Sequence, residues 1–189
     1  MTDRKDVLRY FQALDAELTQ EKRKINLYII GGCYLMLQDI KPSSPDIDIL
    51  VEQKDWTAIN NAIGRLKHAR PDGLKPFDID LLNDRWLGEF QIPKNFSKDT
   101  KRYRRMRHRM KHLALYTLSP YDILISKIAR WKKKDIDDIN ALLDKKVIQR
   151  HKLEKRIQRC YIPQKKTFKK HYDMFISLFG GRLKERSWF

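Results

Sequence analysis

The stretch YIIGGCYLMLQDIKPSSPDIDILVE (residues 28–52) decides how the rest of the chain is read. The β-rich run INLYII (25–30) ends at Gly31-Gly32, a short helix is expected over 33–38, and KPSSP (41–45) is a turn. Residues 46–52 read as a strand with Ile47, Ile49 and Val51 on one face. Alternation then puts Asp46 and Asp48 together on the other face, their Cα atoms roughly 6.5–7 Å apart. Two carboxylates so placed repel each other and lose hydration unless a cation or donors lie between them. A divalent metal supplies that cation, and Mg²⁺ prefers hard oxygen ligands of this kind. The competing reading of a single D-x-D is an edge strand with a solvated face. The glycine pair has two readings as well. Glycines between strand and helix let the backbone approach a phosphate closely, and they also make a tight β–α turn. Neither G-x-G-x-x-G nor G-x-x-x-x-G-K-[ST] occurs, so a dinucleotide fold and a P-loop are unsupported.

Outward from this stretch, Val7, Leu8, Phe11, Leu14 and Leu18 mark a helix within residues 3–20. Trp56, Ile59, Ile63 and Leu66 mark another over 54–68. FDIDLL (77–82) is a further strand, and it repeats the acidic alternation with Asp78 and Asp80. Beside the first acidic strand it offers a third carboxylate. Residues 83–100 read as irregular, and LALYTL (113–118) reads as a strand. Ser119-Pro120 opens a helix, with serine as cap and proline in the first turn. That helix reaches about residue 132, another begins near 135, and two basic helices follow at about 146–160 and 164–179. The order describes an α/β (α+β) fold, a mixed sheet flanked by helices, with a helical C-terminal part. The expected division is a core over 1–118 and a basic helical region over 119–189.

The chain has 189 residues, 41% of them hydrophobic, which suits one domain or one domain with a helical appendage. No apolar run of about 18 residues suggests a membrane span. The charged N-terminus MTDRKDVLRYFQ has no apolar h-region, and Cys33 and Cys160 form no disulfide framework. These features point to a reducing cytoplasm and no membrane. The formal charge of +17 is uneven. Residues 1–100 hold 15 Lys and Arg against 16 Asp and Glu, so residues 101–189 carry +18. Such a field attracts phosphates of nucleotides or nucleic acid.

IIGG, thirteen residues, then DIDIL resembles the signature of the polymerase-beta-type nucleotidyltransferase superfamily. SPDIDIL and IDLLNDRW resemble the branch of abortive-infection toxin nucleotidyltransferases (AbiEii-like). LSPYDILISKIARWKKKDIDDINALL resembles that branch's helical segment, with Lys127, Arg130, Lys134, Asp135 and Asp138 at the matching positions. The resemblance spans about residues 20–145 and weakens over 85–112. It implies transfer of a nucleotidyl group from an NTP to an acceptor, with Mg²⁺ or Mn²⁺ as cofactor. Asp46 and Asp48 would hold the metal, and Asp80 would be the third carboxylate, with Asp78 as its substitute. Gly31, Gly32, Ser44, Lys127 and Arg130 would contact the nucleotide. The superfamily often has serine where Gly32 stands, so backbone donors would have to replace a hydroxyl. Lys127 reads equally as a surface lysine on an amphipathic helix, and Asp135 and Asp138, which share a helix face with Lys134 or Arg130 in reach, read also as a structural salt-bridge network.

The run KRYRRMRHRMKH (101–112) offers Lys101, Arg102, Arg104, Arg105, Arg107 and Arg109 to an RNA backbone, with Tyr103 as a stacking ring. His108 and His112 have no third ligand nearby to make a zinc site. The function these features favour is nucleotidyl transfer to RNA, tRNA above all, by the toxin of a toxin–antitoxin pair with an antitoxin as protein partner. The rivals are a non-catalytic RNA-binding protein on the same fold and an enzyme that modifies a protein.

Overall fold

The computed structural model describes residues 2–69, 71, 78–83, 96–103 and 109–184. These divide into two compact units. The first takes its described residues from 2–85 and 100–118, the second from 96–99 and 119–184.

The first unit runs β1 (Thr2–Asp3), α1 (Arg4–Ala16), β2 (Ile25–Ile29), α2 (Gly31–Leu37), β3 (Ser43–Ser44), β4 (Asp46–Val51), α3 (Gln53–Ala69), β5 (Asp78–Asn83), β6 (Lys101–Arg102) and β7 (Leu113–Thr117). Five strands form a mixed sheet in the order β5–β4–β2–β7–β6. β2 lies antiparallel to β4 and parallel to β7, β4 lies parallel to β5, and β6 lies antiparallel to β7. β1 and β3 make a separate antiparallel ladder that pairs Thr2 with Ser44. The central strands are the most apolar, and Ile25, Leu27, Ile29, Ile47, Ile49 and Val51 are fully buried. Burying each such side chain stabilises by about 1.5–3 kcal/mol.

Several boundaries differ from the sequence pattern, two of them in the first unit for a clear local reason. Helix α2 includes both glycines, because Ile30 is extended as its cap and Gly31 adopts φ +60° at the first helical position. Glycine's low helix propensity hides that start. Helix α1 stops at Ala16, and Leu18 is buried in the turns beyond it. Near its end the buried Asp15 carboxylate accepts the backbone N–H groups of Lys111 (2.9 Å), His112 (2.8 Å) and Leu113 (2.6 Å). That carboxylate ties the start of β7 to α1.

The second unit contains a 3₁₀ turn, Phe96–Asp99, then α4 (Pro120–Arg130), α5 (Lys133–Asp144), α6 (Arg150–Ile157) and α7 (Lys165–Phe179). Ser119 Oγ accepts the Tyr121 N–H at 3.3 Å, the cap its sequence predicts. The other three helices all pack on α4. Phe168, Phe175 and Phe179 of α7 are buried at helical spacing. Arg156 of α6 reaches the fully buried Asp122 of α4 through two bonds, of 2.6 Å and 2.8 Å, and also pairs with Asp99. Among the described residues no helix is long and apolar enough to cross a membrane.

Candidate active site

The acidic site lies wholly within the first unit and follows from strand register. Strands β4 and β5 run parallel with Asp46 opposite Asp78 and Asp48 opposite Asp80. Neighbouring strands lie about 4.8 Å apart, so in-register residues share a face. Asp46, Asp48 and Asp80 each bring one carboxylate oxygen within 4.8 Å of the other two. Asp78, exposed at the first residue of β5, stands outside this cluster. The tail of β4 is apolar on both faces, since Ile49, Leu50 and Val51 are all buried, and the strand thus holds its two aspartates in place from below.

The glycine pair closes against the cluster. The Gly32 N–H donates to Asp48 Oδ2 at 3.3 Å, and the Ile30 N–H donates to the Asp48 carbonyl at 3.1 Å. A Cβ on Gly31 would fall 1.7 Å from Asp48 Oδ2, and its φ of +60° already favours glycine. A Cβ on Gly32 would fall 2.6 Å from Ser44 Oγ and 2.9 Å from Lys41 Nζ. Ser44 is fully buried and donates to Asp46 Oδ1 at 3.3 Å. The hydroxyl and the Lys41 ammonium therefore occupy the space a side chain on Gly32 would need.

Lys41 escaped the sequence reading. Its signal was a basic residue in the KPSSP turn, which reads as an ordinary turn lysine. Only the fold of β3 and α2 brings it over Gly32. Cys33, beside the glycines, is fully buried. Burial first, then the charges of Asp48 and Asp46, push its thiol far up, so it packs as a neutral side chain.

Three carboxylates this close suit a hard divalent cation. Each pair repels by about 1 kcal/mol in water and by about 3 kcal/mol at an effective dielectric of 20. Mg²⁺ and Mn²⁺ match an all-oxygen donor set, and the glycine backbone packs directly against the Asp48 carboxylate, the Ser44 hydroxyl and the Lys41 ammonium.

Lys127 is in the second unit, 1% exposed, with its ammonium paired to Asp138 and 3.6 Å from Asp135. Arg130 pairs with Asp135 at 2.7 Å. Burial acts to raise the Asp135 carboxyl, but the hydrogen bond and charge of Arg130, with Lys127 and the Lys132 N–H, hold it below its ordinary value. These four residues join α4 to α5 as an ion network, which includes the Arg130–Asp135 pairing the spacing allowed and in which Lys127 is buried, not the surface lysine of its alternative reading. Lys101 and Arg102 form the edge strand β6, and Arg109 is exposed. Arg104, Arg105, Arg107 and His108 lie outside the described residues. Tyr103 corrects an expectation. Its ring is only 8% exposed and its N–H donates to the Leu115 carbonyl, so it packs in the core and offers no face to a base.

Residues 6–177 match a family described as "Nucleotidyltransferase of unknown function (DUF6036)". The chain belongs to this nucleotidyltransferase family. The match covers both units and includes every member of the acidic cluster. Among solved structures, the chain is similar to an antigenic nucleotidyltransferase-like protein from Paracoccidioides brasiliensis, with a TM-score of 0.56 at 15% identity. The alignment covers 95% of this chain and 93% of that one. That likeness establishes the nucleotidyltransferase-like fold. No curated protein matches the chain in sequence.

Proposed function

We propose that this nucleotidyltransferase moves a nucleotidyl group from an NTP to a hydroxyl of RNA, in a metal-dependent reaction. The observation that carries the reading is the convergence of Asp46, Asp48 and Asp80 beside a glycine pair whose backbone lies against Asp48, Ser44 and Lys41. Asp46 and Asp48 would hold Mg²⁺ or Mn²⁺, with Asp80 completing the ligand set. When bound, such an ion neutralises charge on the triphosphate and on the attacking and leaving oxygens. The glycine backbone, Ser44 and Lys41 would orient the triphosphate. The acceptor oxygen attacks the α-phosphorus, a new O–P bond forms, the α–β anhydride bond breaks, and pyrophosphate leaves. Asp80, the exposed member of the cluster, would take the hydroxyl proton or help hold a second metal ion.

The RNA acceptor is supported by the +18 carried by residues 101–189. The toxin role and its antitoxin partner rest on the SPDIDIL and IDLLNDRW resemblance, and a cytoplasmic setting supplies both substrates. Lys127 and Arg130 are assigned to the nucleotide by that resemblance alone, and their observed partners favour the structural role.

Incubating the protein with each α-labelled NTP and total RNA tests the proposal. Label should enter RNA, with tRNA the favoured band, and both Asp48→Asn and Asp80→Asn should abolish it. Label that enters only protein would move the assignment to protein modification. No transfer with any NTP, together with NTP binding that Asp48→Asn leaves unaltered, would end the proposal.

A further inference from the structure

Residues 145–170 carry eleven Lys or Arg against the single acid Glu154, a net of +10 within a chain whose total is +17. The second unit sorts these charges. Arg156 turns inward to Asp122 and Asp99, and Arg150 pairs with Glu154 at 3.1 Å. The other nine, Lys145, Lys146, Lys152, Lys155, Arg159, Lys165, Lys166, Lys169 and Lys170, are all exposed. On α7, the four lysines at i, i+1, i+4 and i+5 share one face, and Phe168, Phe175 and Phe179 bury the other. On α6, Lys152 and Lys155 share the exposed side, away from the buried Leu153. Between the two helices stands Tyr161, 64% exposed, the most exposed large hydrophobic side chain among the described residues.

We propose that the α6–α7 surface centred on Tyr161 binds an unpaired RNA strand, with the lysines on its phosphates and the Tyr161 ring stacked on a base. An exposed ring among cations is the arrangement that grips single strands without reading sequence. In the earlier basic run Tyr103 offers no such ring, because it is buried. An anionic membrane is the other surface that draws lysines, but interfacial binding needs an apolar face to insert. Here Phe168, Phe175 and Phe179 of α7 are buried inside its own unit, and the large apolar side chains the helix exposes are Met174 and Leu178, two residues and not a continuous face. The choice of RNA rests on the acceptor proposed above.

The test measures fluorescence anisotropy of a labelled 20-nucleotide oligo-uridine with the full chain, at several salt concentrations. Releasing counterions contributes a slope of roughly −0.7 per phosphate on a single strand. Replacing Lys165, Lys166, Lys169 and Lys170 by Ala should therefore flatten the slope by about 3 and weaken binding by at least roughly 20-fold at 0.1 M salt. Tyr161→Ala should weaken the single strand by about 5- to 150-fold and leave an RNA duplex of equal length unaffected. Both variants replace exposed side chains, and an unchanged thermal melt confirms that each is folded. Unchanged affinity in the quadruple variant overturns the inference. So does binding to phosphatidylserine vesicles that the lysines control while RNA affinity stays constant. Asp48→Asn separates this from the proposed function. Failure of transfer with lysine-dependent RNA binding intact removes the enzyme and keeps the surface. Transfer to RNA that the quadruple variant performs with unaltered KM removes the surface and keeps the enzyme.

Discussion

Asp80→Asn should stabilise the metal-free protein and destabilise it, relative to wild type, once Mg²⁺ or Mn²⁺ is present. Asp80 faces two carboxylates with oxygens no more than 4.8 Å away. Each pair repels by about 0.9 kcal/mol at the dielectric of water, the fitting value for an exposed side chain. Two pairs give about 1.7 kcal/mol, and a Debye length of about 8 Å at physiological salt trims this to about 1 kcal/mol. For a chain of this size that raises the melting temperature by about 2–4 °C. In metal at one hundred times its dissociation constant, wild type gains about 2.7 kcal/mol, or about 5–10 °C. The variant, with one charged ligand fewer, gains far less, so the order of the two melting temperatures reverses. Differential scanning fluorimetry in EDTA and then across a Mn²⁺ titration reads both signs. Raising salt to 1 M, where the Debye length is about 3 Å, should erase the variant's advantage in EDTA. A variant that melts below wild type in EDTA would refute the reasoning, as would a wild type indifferent to both metals.

Gly31→Ala should cost most of the transfer activity, because its Cβ would collide with Asp48 Oδ2 and its φ is strained for any side chain; steady-state rates beside a thermal melt separate site damage from unfolding. Lys41→Met should raise the KM for NTP by about tenfold, the loss of one charge-assisted phosphate contact, with a smaller change in kcat. An unchanged KM removes Lys41 from the site. Arg156→Met leaves Asp122 buried without its cation and should cost about 3–5 kcal/mol near neutral pH. Burial already raises the Asp122 carboxyl and Arg156 opposes it, so removing Arg156 raises it further. An acid with a raised folded pKa is most stabilising below its unfolded value and loses that contribution as pH rises through the folded one. Urea titrations from pH 4 to 7 should therefore show the variant's deficit growing toward neutrality, and a deficit that grows toward acid would contradict this.

Much of the site was legible in residues 28–52. Period-2 alternation alone sets Asp46 and Asp48 on one face, and apolar Ile47 and Ile49 make that face unambiguous. The order of the longer strands and helices was equally local, since each carries its own periodicity and Ser119-Pro120 marks its own start, whereas the two-residue strands β1, β3 and β6 exist only through their pairing. Other features depended on residues far apart in the chain. Asp78 and Asp80 have nearly identical local sequence, and only the register of β5 on β4, with the reach of each side chain, gathers Asp80 into the cluster. Lys41 reaches Gly32 only because the turn folds back over α2. Tyr103 and Tyr161 both sit among cations in the sequence, yet one ring is buried and the other is 64% exposed. Local alternation is a property of one backbone segment and can be read from it. Register, burial and the meeting of distant charges depend on which segments pack together, and that is decided only by the tertiary fold.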